Sequence, residues 1–99
     1  MAVAQAEAIR VLESLDGFDT TRRRNVVELL ALSATQEGVA GVLAREVTRP
    51  RDAVAQGTAF EALCRLCIAG GEAPPPVVVE AIASRLGDPI YQRGARRAL

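Results

Sequence analysis

Histidine, tryptophan and lysine are absent from this 99-residue chain, and its aromatic residues are two Phe and one Tyr. Without His, the chain lacks the side chain most often used for proton transfer near neutral pH, which is also the commonest metal ligand. Its two Cys residues are too few to complete a four-ligand zinc site. We therefore expect a non-enzymatic protein with no catalytic residues, no metal and no cofactor.

An imbalance of charge and a long apolar run are missing as well. Twelve acidic residues balance twelve basic ones, so bulk charge indicates neither a nucleic-acid binder nor a polybasic membrane binder. No run approaches the roughly 18–20 apolar residues of a membrane span, and the first residues lack the features of a signal peptide. Because 49% of the residues are apolar, we expect one folded domain over residues 1–99, located in the cytoplasm.

Helix-forming residues fill the segments between sparse Gly and Pro breaks. Ala, Leu, Arg and Glu dominate these segments, and each of them favours a helix. The pattern predicts six helices and no sheet. Five are expected at residues 3–15, 21–33, 52–69, 76–86 and about 89–99, and the sixth between breaks at residues 37–38 and 48–50.

Three of these helices carry specific expectations about burial. Residues 21–33 are apolar nearly all round, which favours a buried helix. Residues 52–69 have two small or apolar faces, which favours packing on both sides. Residues 76–86 begin with β-branched side chains that suit a strand, but no second strand-like run exists to pair with them. The residues expected inside the first and third of these helices are Val26, Val27, Leu29, Leu30, Leu32, Val78, Val79, Ile82 and Leu86.

An internal repeat is the strongest pattern in the sequence. A shift of 36 residues superposes Asp52 on Asp88, and a shift of 33 residues superposes Asp19 on Asp52. The same frame therefore occurs three times: a helix, a turn marked by Asp, and a second helix with apolar residues on one face. The further matched pairs are Gln56 with Gln92, Ala59 with Ala95, Leu63 with Leu99, Leu30 with Leu63, Val42 with Val78, and Leu43 with Val79.

The third copy of the frame, residues 86–99 (LGDPIYQRGARRAL), resembles the turn and second helix of a HEAT-type helical repeat. The shared features are an Asp-Pro turn, an Arg early in the second helix, and Ala and Leu on the packing face. Arg93 matches the early Arg, and Arg24 is its counterpart in the first copy, whereas the middle copy has Gly57 there. The distance from Asp to Leu is about two residues shorter than in the family pattern, which leaves a looser armadillo-like arrangement open.

The resemblance implies an all-α protein of three helical hairpins, stacked as a short right-handed α-solenoid that binds other proteins as a scaffold. The hairpins would occupy residues 3–33, 36–70 and 76–99, the last of them shortened. The alternative is a closed six-helix bundle that resembles self-associating death-fold adaptor domains. In a solenoid each hairpin touches its neighbours alone, whereas a bundle brings the first helix against the fifth or sixth.

Two groups of arginines are the candidate binding residues. The second helices of stacked hairpins line one side of a solenoid, so both groups are candidates to bind an acidic protein partner or, as an alternative, a phosphate backbone. Asp16, Asp19 and Glu28 flank the first group, and an internally paired, solvated face is the commoner outcome. No aromatic residue is interleaved to stack on bases, which disfavours nucleic acid. The arginines are Arg22, Arg23 and Arg24 in the first hairpin, and Arg93, Arg96 and Arg97 in the third.

Cysteine and proline motifs both have structural explanations. Cys64 and Cys67 form a Cys-x-x-Cys inside the longest predicted helix, where we expect buried, unreactive thiols rather than a redox pair or metal ligands. The three consecutive prolines at residues 74–76 fall between two hairpins, where a stiff connector is expected rather than a polyproline ligand.

The third hairpin has more apolar residues than one packing face needs. Val77, Val78, Val79 and Ile82 of its first helix together supply this surplus. We expect a second copy of the chain to cover them in a symmetric homodimer, or a further repeat of a longer array to do so. In the closed bundle they would instead pack back on Cys67 and Ile68.

Overall fold

The computed structural model describes residue 10 and residues 20–32, 37–69 and 74–99. These ranges contain no strand, so the all-α class predicted from the sequence is confirmed for them. Of the predicted helix over residues 3–15, residue 10 alone is described, and it is helical. The other described ranges contain five helices: α1 (Thr20–Ala31), α2 (Glu37–Thr48), α3 (Ala53–Ala69), α4 (Pro76–Ala83) and α5 (Gln92–Ala98).

Helix α1 is amphipathic rather than buried on every side. Val27 and Leu30 are at most 1% exposed and form its core face, whereas Leu29 is 56% and Leu32 is 82% exposed. The prediction that residues 21–33 form a helix buried all round is therefore wrong. Among the described helices α1 contacts α2 and α3 alone, so the helix has a single packed face.

Helix α3 begins at a side-chain cap. Asp52 precedes its first residue, and Asp52 Oδ2 accepts a hydrogen bond from the backbone N–H of Ala55 at 2.9 Å. The carbonyl oxygen of Asp52 accepts a second bond, from the N–H of Gln56, also at 2.9 Å. The side-chain bond satisfies an N–H group that has no partner within the helix, which is why Asp is favoured at this position.

Helix α4 is shorter than the sequence predicted. It starts with Pro76 in the first turn, where a fixed φ and a missing N–H are tolerated, but it ends at Ala83 and residues 84–87 form turns. Val78 and Ile82 are fully buried as predicted. Val79 and Leu86 are half-buried instead, because Val79 lies beside the packed stripe of α4 and Leu86 follows the end of the helix.

Helix α5 begins at Gln92, not near Pro89 as predicted. Asp88 Oδ1 accepts the N–H of Ile90 at 3.0 Å, and the carbonyl oxygen of Asp88 accepts the N–H of Tyr91, also at 3.0 Å. These bonds hold residues 88–91 in a turn, which delays the first regular helical turn.

Helix α3 lies at the centre of the described helices. It packs against α1, α2 and α5 and less extensively against α4, while α2 also packs on α4. Helix α1 contacts neither α4 nor α5. The two-sided packing predicted for residues 52–69 is confirmed, and Leu63 in the middle of α3 is fully buried. The largest fully buried side chains are Leu30, Leu43, Leu63, Ile82, Val27, Val39, Val47 and Val78.

The repeat frame is closely reproduced in α3 and α5. The carbonyl oxygen of Asp52 accepts the N–H of Gln56 at 2.9 Å, and that of Asp88 accepts the N–H of Gln92 at 2.8 Å. The environments diverge at the end of the frame, since Leu63 is fully buried while Leu99, beyond the last residue of α5, is 54% exposed. Ala59 and Ala95, which the frame also superposes, are both fully buried.

In α2 and α4 the repeat frame is displaced by one residue. The 36-residue shift pairs Val42 with Val78 and Leu43 with Val79. Leu43 and Val78 are fully buried, whereas Val42 and Val79 are half-buried. The packed positions of α2 and α4 are therefore related by a shift of 35, from residue 43 to residue 78. The predicted pairing of Val42 with Val78 is wrong, because the connection between α4 and α5 is one residue longer than the frame assumed.

One backbone atom joins three segments of the molecule. The carbonyl oxygen of Val47, in the last turn of α2, accepts a hydrogen bond from Gln56 Nε2 of α3 at 3.0 Å. It also accepts bonds from Nε and Nη2 of Arg85, in the turn after α4, at 3.2 and 2.7 Å. These donors satisfy a carbonyl that the end of a helix leaves without an intrahelical partner.

Candidate functional site

The three arginines of the first group lie in different environments. Arg23 is 3% exposed, and its Nη1 donates a hydrogen bond to Oε1 of Glu46 on α2 at 2.8 Å. Arg24 donates from Nε and Nη2 to the two carboxylate oxygens of Asp52, at 2.8 and 2.9 Å. Arg22 is exposed. Two members of this group therefore connect α1 to its neighbours, and Arg22 is the member that faces solvent without such a contact.

The Arg23–Glu46 ion pair is buried. The two side chains are 4% and 9% exposed, and Oε2 of Glu46 has no hydrogen-bond partner among the described residues. Loss of hydration raises the pKa of the Glu46 carboxyl, and the guanidinium of Arg23 opposes this shift. The pair is therefore a structural contact between α1 and α2 and is not accessible to a ligand.

Asp52 combines an ion pair with a helix cap. Its side chain is 8% exposed and binds both Arg24 and the N–H of Ala55. The hydrogen bonds from Arg24, assisted by the backbone N–H of Ala55, lower the pKa of Asp52 to about 2. The same pairing raises the pKa of Arg24. Asp52 therefore stays ionised near neutral pH and fixes the start of α3 against α1.

The arginines of the second group are all exposed. Arg93, Arg96 and Arg97 lie on α5, which contains no acidic residue. No carboxylate within the described ranges forms an ion pair with any of them. Helices α1 and α5 both pack on α3 without contacting each other, and two members of the first group are held in ion pairs, so the second group is the better candidate for binding a ligand.

A groove of about 270 Å³ runs between α3 and α5 beside these exposed arginines. Phe60, Cys64 and Ile68 follow one stripe of α3 at a spacing of four residues, which places them on the same side of the helix. Phe60 and Cys64 are buried and form the floor, whereas Ile68 is 63% exposed. The residues of this α3–α5 groove are Phe60, Glu61, Cys64, Arg65, Ile68, Gly94 and Arg97.

Gly94 sets the width of the α3–α5 groove. A Cβ at this position would lie 3.0 Å from Cε1 of Phe60, so the missing side chain lets α5 approach the ring closely. The same ring packs on Tyr91, with 4.7 Å between the ring centroids. The floor of the groove is therefore held in place by contacts within the chain.

The two cysteines are protonated thiols in this fold. Cys64 is 8% exposed, and its thiol lies 3.8 Å from the carbonyl oxygen of Gly94 as a weak donor. Burial raises the pKa of Cys64 to about 11 and raises the pKa of Cys67 as well, so little thiolate forms near neutral pH. The prediction of buried thiols is confirmed for Cys64, whereas Cys67 is half-buried. Across the described ranges no three His, Cys, Asp or Glu side chains group as metal ligands would.

Neither the groove nor the buried ion pair was predicted from the sequence. The helix that contains Phe60 has two apolar faces, and nothing in its pattern indicates which part stays uncovered. The burial of Arg23 has one signal, its position four residues before the buried Val27 on the same side of α1. Arg24 pairs with Asp52, 28 residues away, and not with a carboxylate near it in sequence. Asp16 and Asp19, which the sequence suggested as partners, lie outside the described residues.

Similarity to other proteins gives no guide to function, since no family model, curated protein or solved structure matches this chain significantly. In the part of the chain that the structure describes, no helix combines the length and apolarity needed to cross a membrane. Functional inference therefore depends on the exposed arginines and on the α3–α5 groove.

Proposed function

We propose that this chain is a non-catalytic protein-interaction module that binds an acidic segment of a partner protein through α5. One observation carries the proposal: Arg93, Arg96 and Arg97 are exposed on one short helix that contains no carboxylate, and no described residue forms an ion pair with them. Carboxylates of a partner can bind these guanidinium groups without first breaking an ion pair within the chain. Arg65 on the neighbouring helix α3 is exposed as well and adds to the positive surface.

We further propose that the helices belong to a short HEAT-like or armadillo-like right-handed solenoid. Helices two apart in sequence pack together (α1 with α3, α2 with α4, α3 with α5), which is the neighbour pattern of stacked hairpins. The Cα atoms extend over 31 × 28 × 16 Å, and the shortest dimension suits two helix layers about 8–10 Å apart. The closed adaptor-like bundle requires the first predicted helix to contact the fifth or sixth, and residue 10 is the one described residue of that helix.

A protein partner is preferred to nucleic acid because the aromatic rings described near the arginines pack on each other. Phe60 is 4% exposed, and its ring centroid lies 4.7 Å from that of the half-buried Tyr91. Proteins that bind single strands without sequence preference combine a basic groove with several aromatic side chains on which successive bases stack. The described positive surface offers no such series of exposed rings.

Selection from a random peptide library displayed on phage, with the full chain immobilised, tests the proposal. We expect enriched peptides to be rich in Asp and Glu, and to be lost with the double variant Arg96→Glu, Arg97→Glu. Both side chains are exposed, so the fold should tolerate the change. The matched control is Arg45→Glu, Arg49→Glu, which reverses two exposed charges at the end of α2.

Two results would overturn the proposal. One is enrichment without an acidic bias, or with a bias that the α5 double variant leaves unchanged. The other is a tight complex with duplex or single-stranded oligonucleotides in a gel shift at low salt that weakens steeply as salt is added, which would indicate phosphate binding instead.

A further inference from the structure

We infer that the α3–α5 groove receives one bulky apolar side chain of the acidic segment, and that Arg65 and Arg97 bind carboxylates next to it. This inference rests on the proposed function and specifies the chemistry of the partner: an apolar anchor residue with acidic neighbours. It follows from three properties of the groove, which are its apolar floor, its size and the charges at its rim.

The floor offers a contact surface for an apolar side chain. Phe60 and Cys64 lie at the bottom of the groove, and neither side chain is charged there. The ring of Phe60 has no ionisable group, and burial raises the pKa of the Cys64 thiol and so keeps it protonated. Ile68 is 63% exposed, whereas Ile82, the same residue type in the core, is fully buried. An apolar side chain placed against Ile68 and the floor would remove that surface from water, which is the main favourable contribution to association.

The size of the groove limits the occupant. Its volume of about 270 Å³ lies near the lower end of the roughly 300–1,000 Å³ typical of small-molecule sites. A single large aliphatic or aromatic side chain fits this space. Since Gly94 brings α5 close to Phe60, and Tyr91 holds the ring, the groove exists before a partner arrives.

The charges at the rim select an acidic partner. Arg65 on α3 and Arg97 on α5 both line the groove and are both exposed, and no described carboxylate forms an ion pair with either. Glu61 is the one acidic lining residue, one turn before Arg65 on α3. The rim therefore carries one net positive charge, and the further arginines of α5 lie beside it, so basic neighbours of an anchor residue would be repelled.

The test is a titration of the isotope-labelled full chain followed by two-dimensional amide NMR. Three capped peptides serve as probes: an acidic Glu/Ala peptide with one central Leu, the same peptide with Ala in place of Leu, and a version with Lys in place of Glu. We expect the Leu peptide to shift the amide signals of Ile68 and Gly94. We also expect it to bind about tenfold or more tightly than the Ala peptide, since burial of a Leu side chain contributes that much. The Lys peptide should not bind.

A pair of variants separates the groove from the rest of the surface. Ile68→Glu should remove the advantage of the Leu peptide over the Ala peptide, and Leu32→Glu, at an 82% exposed position just after the end of α1, should leave it unchanged. Because Ile68 is itself largely exposed, its replacement should not unfold the chain, and thermal denaturation of both variants checks this.

The outcomes distinguish this inference from the proposed function. Equal binding of the Leu and Ala peptides, with shifts confined to the arginine signals of α5, would overturn the inference and leave an acidic-partner module in place. Equal binding of the acidic and Lys peptides would overturn both the role of Arg65 and Arg97 and the proposed acidic partner. Failure of every acidic peptide to bind at low salt would overturn the proposed function and the inference together.

Discussion

Arg23 and Glu46 place opposite charges in the interior between α1 and α2, with side chains 4% and 9% exposed. Removing two ions from water costs several kcal/mol each, and their mutual attraction offsets that loss when both are well hydrogen-bonded. Oε2 of Glu46 has no partner among the described residues, so its desolvation is only partly compensated. We interpret the pair as a device that specifies how α1 lies on α2 rather than as a large net source of stability.

Replacing Arg23 by Met should lower the free energy of unfolding by about 3–5 kcal/mol near pH 8, because it leaves a buried carboxylate without its counter-ion. Burial already raises the pKa of Glu46, so the stability contributed by its neutral form is present at low pH and is lost as pH rises through the folded-state pKa. Without Arg23 that pKa rises further. The destabilisation should therefore be smaller near pH 5 than near pH 8.

Urea denaturation of parent and variant at the two pH values measures this difference. Arg22→Met is the matched control, since Arg22 is the exposed neighbour in the same helical turn, and it should change stability by less than about 0.5 kcal/mol. An equal loss at both pH values would show that Arg23→Met acts through packing and not through the charge of Glu46.

Helix α3 is the element on which most of the described structure depends, since α1, α2 and α5 all pack against it. Leu63→Ala, at the fully buried centre of this helix, should lower the free energy of unfolding by about 2–5 kcal/mol through the cavity it leaves. Leu32→Ala, at an 82% exposed position just after the end of α1, provides the comparison and should have little effect. Coincident thermal melts of parent and Leu63→Ala would contradict the central position of α3.

The ion pair between Arg24 and Asp52 has no equivalent one hairpin further along. Under the repeat frame Arg24 corresponds to Gly57, and Asp52 corresponds to Asp88. A Cβ at Gly57 would lie 3.7 Å from the Tyr91 hydroxyl, an ordinary contact distance, so the start of a side chain is tolerated there. One substitution, at position 57, is therefore enough to place an arginine where this contact between α3 and the start of α5 requires one.

Gly57→Arg should supply that contact. Gly57→Gln, the uncharged control, should itself stabilise by about 0.5–1 kcal/mol because Gly is unfavourable inside a helix. Gly57→Arg should add up to about 1 kcal/mol more by pairing with Asp88, and the added part should fade with salt. Identical urea midpoints for the two variants at low salt would indicate that Asp88 does not occupy the position that Asp52 has.

The limits of the sequence pattern are visible in particular residues. The approximate positions of the described helices, the Asp that marks the turn before α3 and the core position of Leu63 were predicted, because each depends on local propensity or on periodicity. The exposed positions of Leu29 and Leu32 were not, since the number of faces a helix buries depends on how many neighbours surround it. The partner of Arg24 was missed for the same reason: it lies 28 residues away, and no local rule selects it.

Charge and apolar surface are unevenly distributed over the molecule as a whole. The chain has no net charge, yet α5 carries three arginines and no acid, so its surface is locally positive. The C-terminal hairpin also exposes apolar side chains: Val77 is 44%, Ile90 82% and Leu99 54% exposed. Homodimer formation through this end was expected from the sequence and stays a prediction. Val77, Ile90 and Leu99 are the apolar residues that such a contact would cover.

Sedimentation velocity at several concentrations tests that prediction. The parent chain should show a concentration-dependent sedimentation coefficient, and Val77→Glu or Ile90→Glu should reduce it because a charge in an apolar contact opposes association. Leu32→Glu, at an exposed apolar position just after the end of α1, is the control and should sediment like the parent. A parent that remains a monomer at the highest concentration would rule out the dimer.

The carbonyl of Val47 connects the last turn of α2 to the floor of the α3–α5 groove through three contacts. Gln56, which donates to that carbonyl, also accepts a hydrogen bond from the Tyr91 hydroxyl at 3.4 Å, and Tyr91 packs on Phe60. We expect a side chain bound against Phe60 to reinforce these contacts and so to reduce fraying at the end of α2. Slower hydrogen–deuterium exchange of the backbone amides there would then report occupancy of the groove from a distant segment.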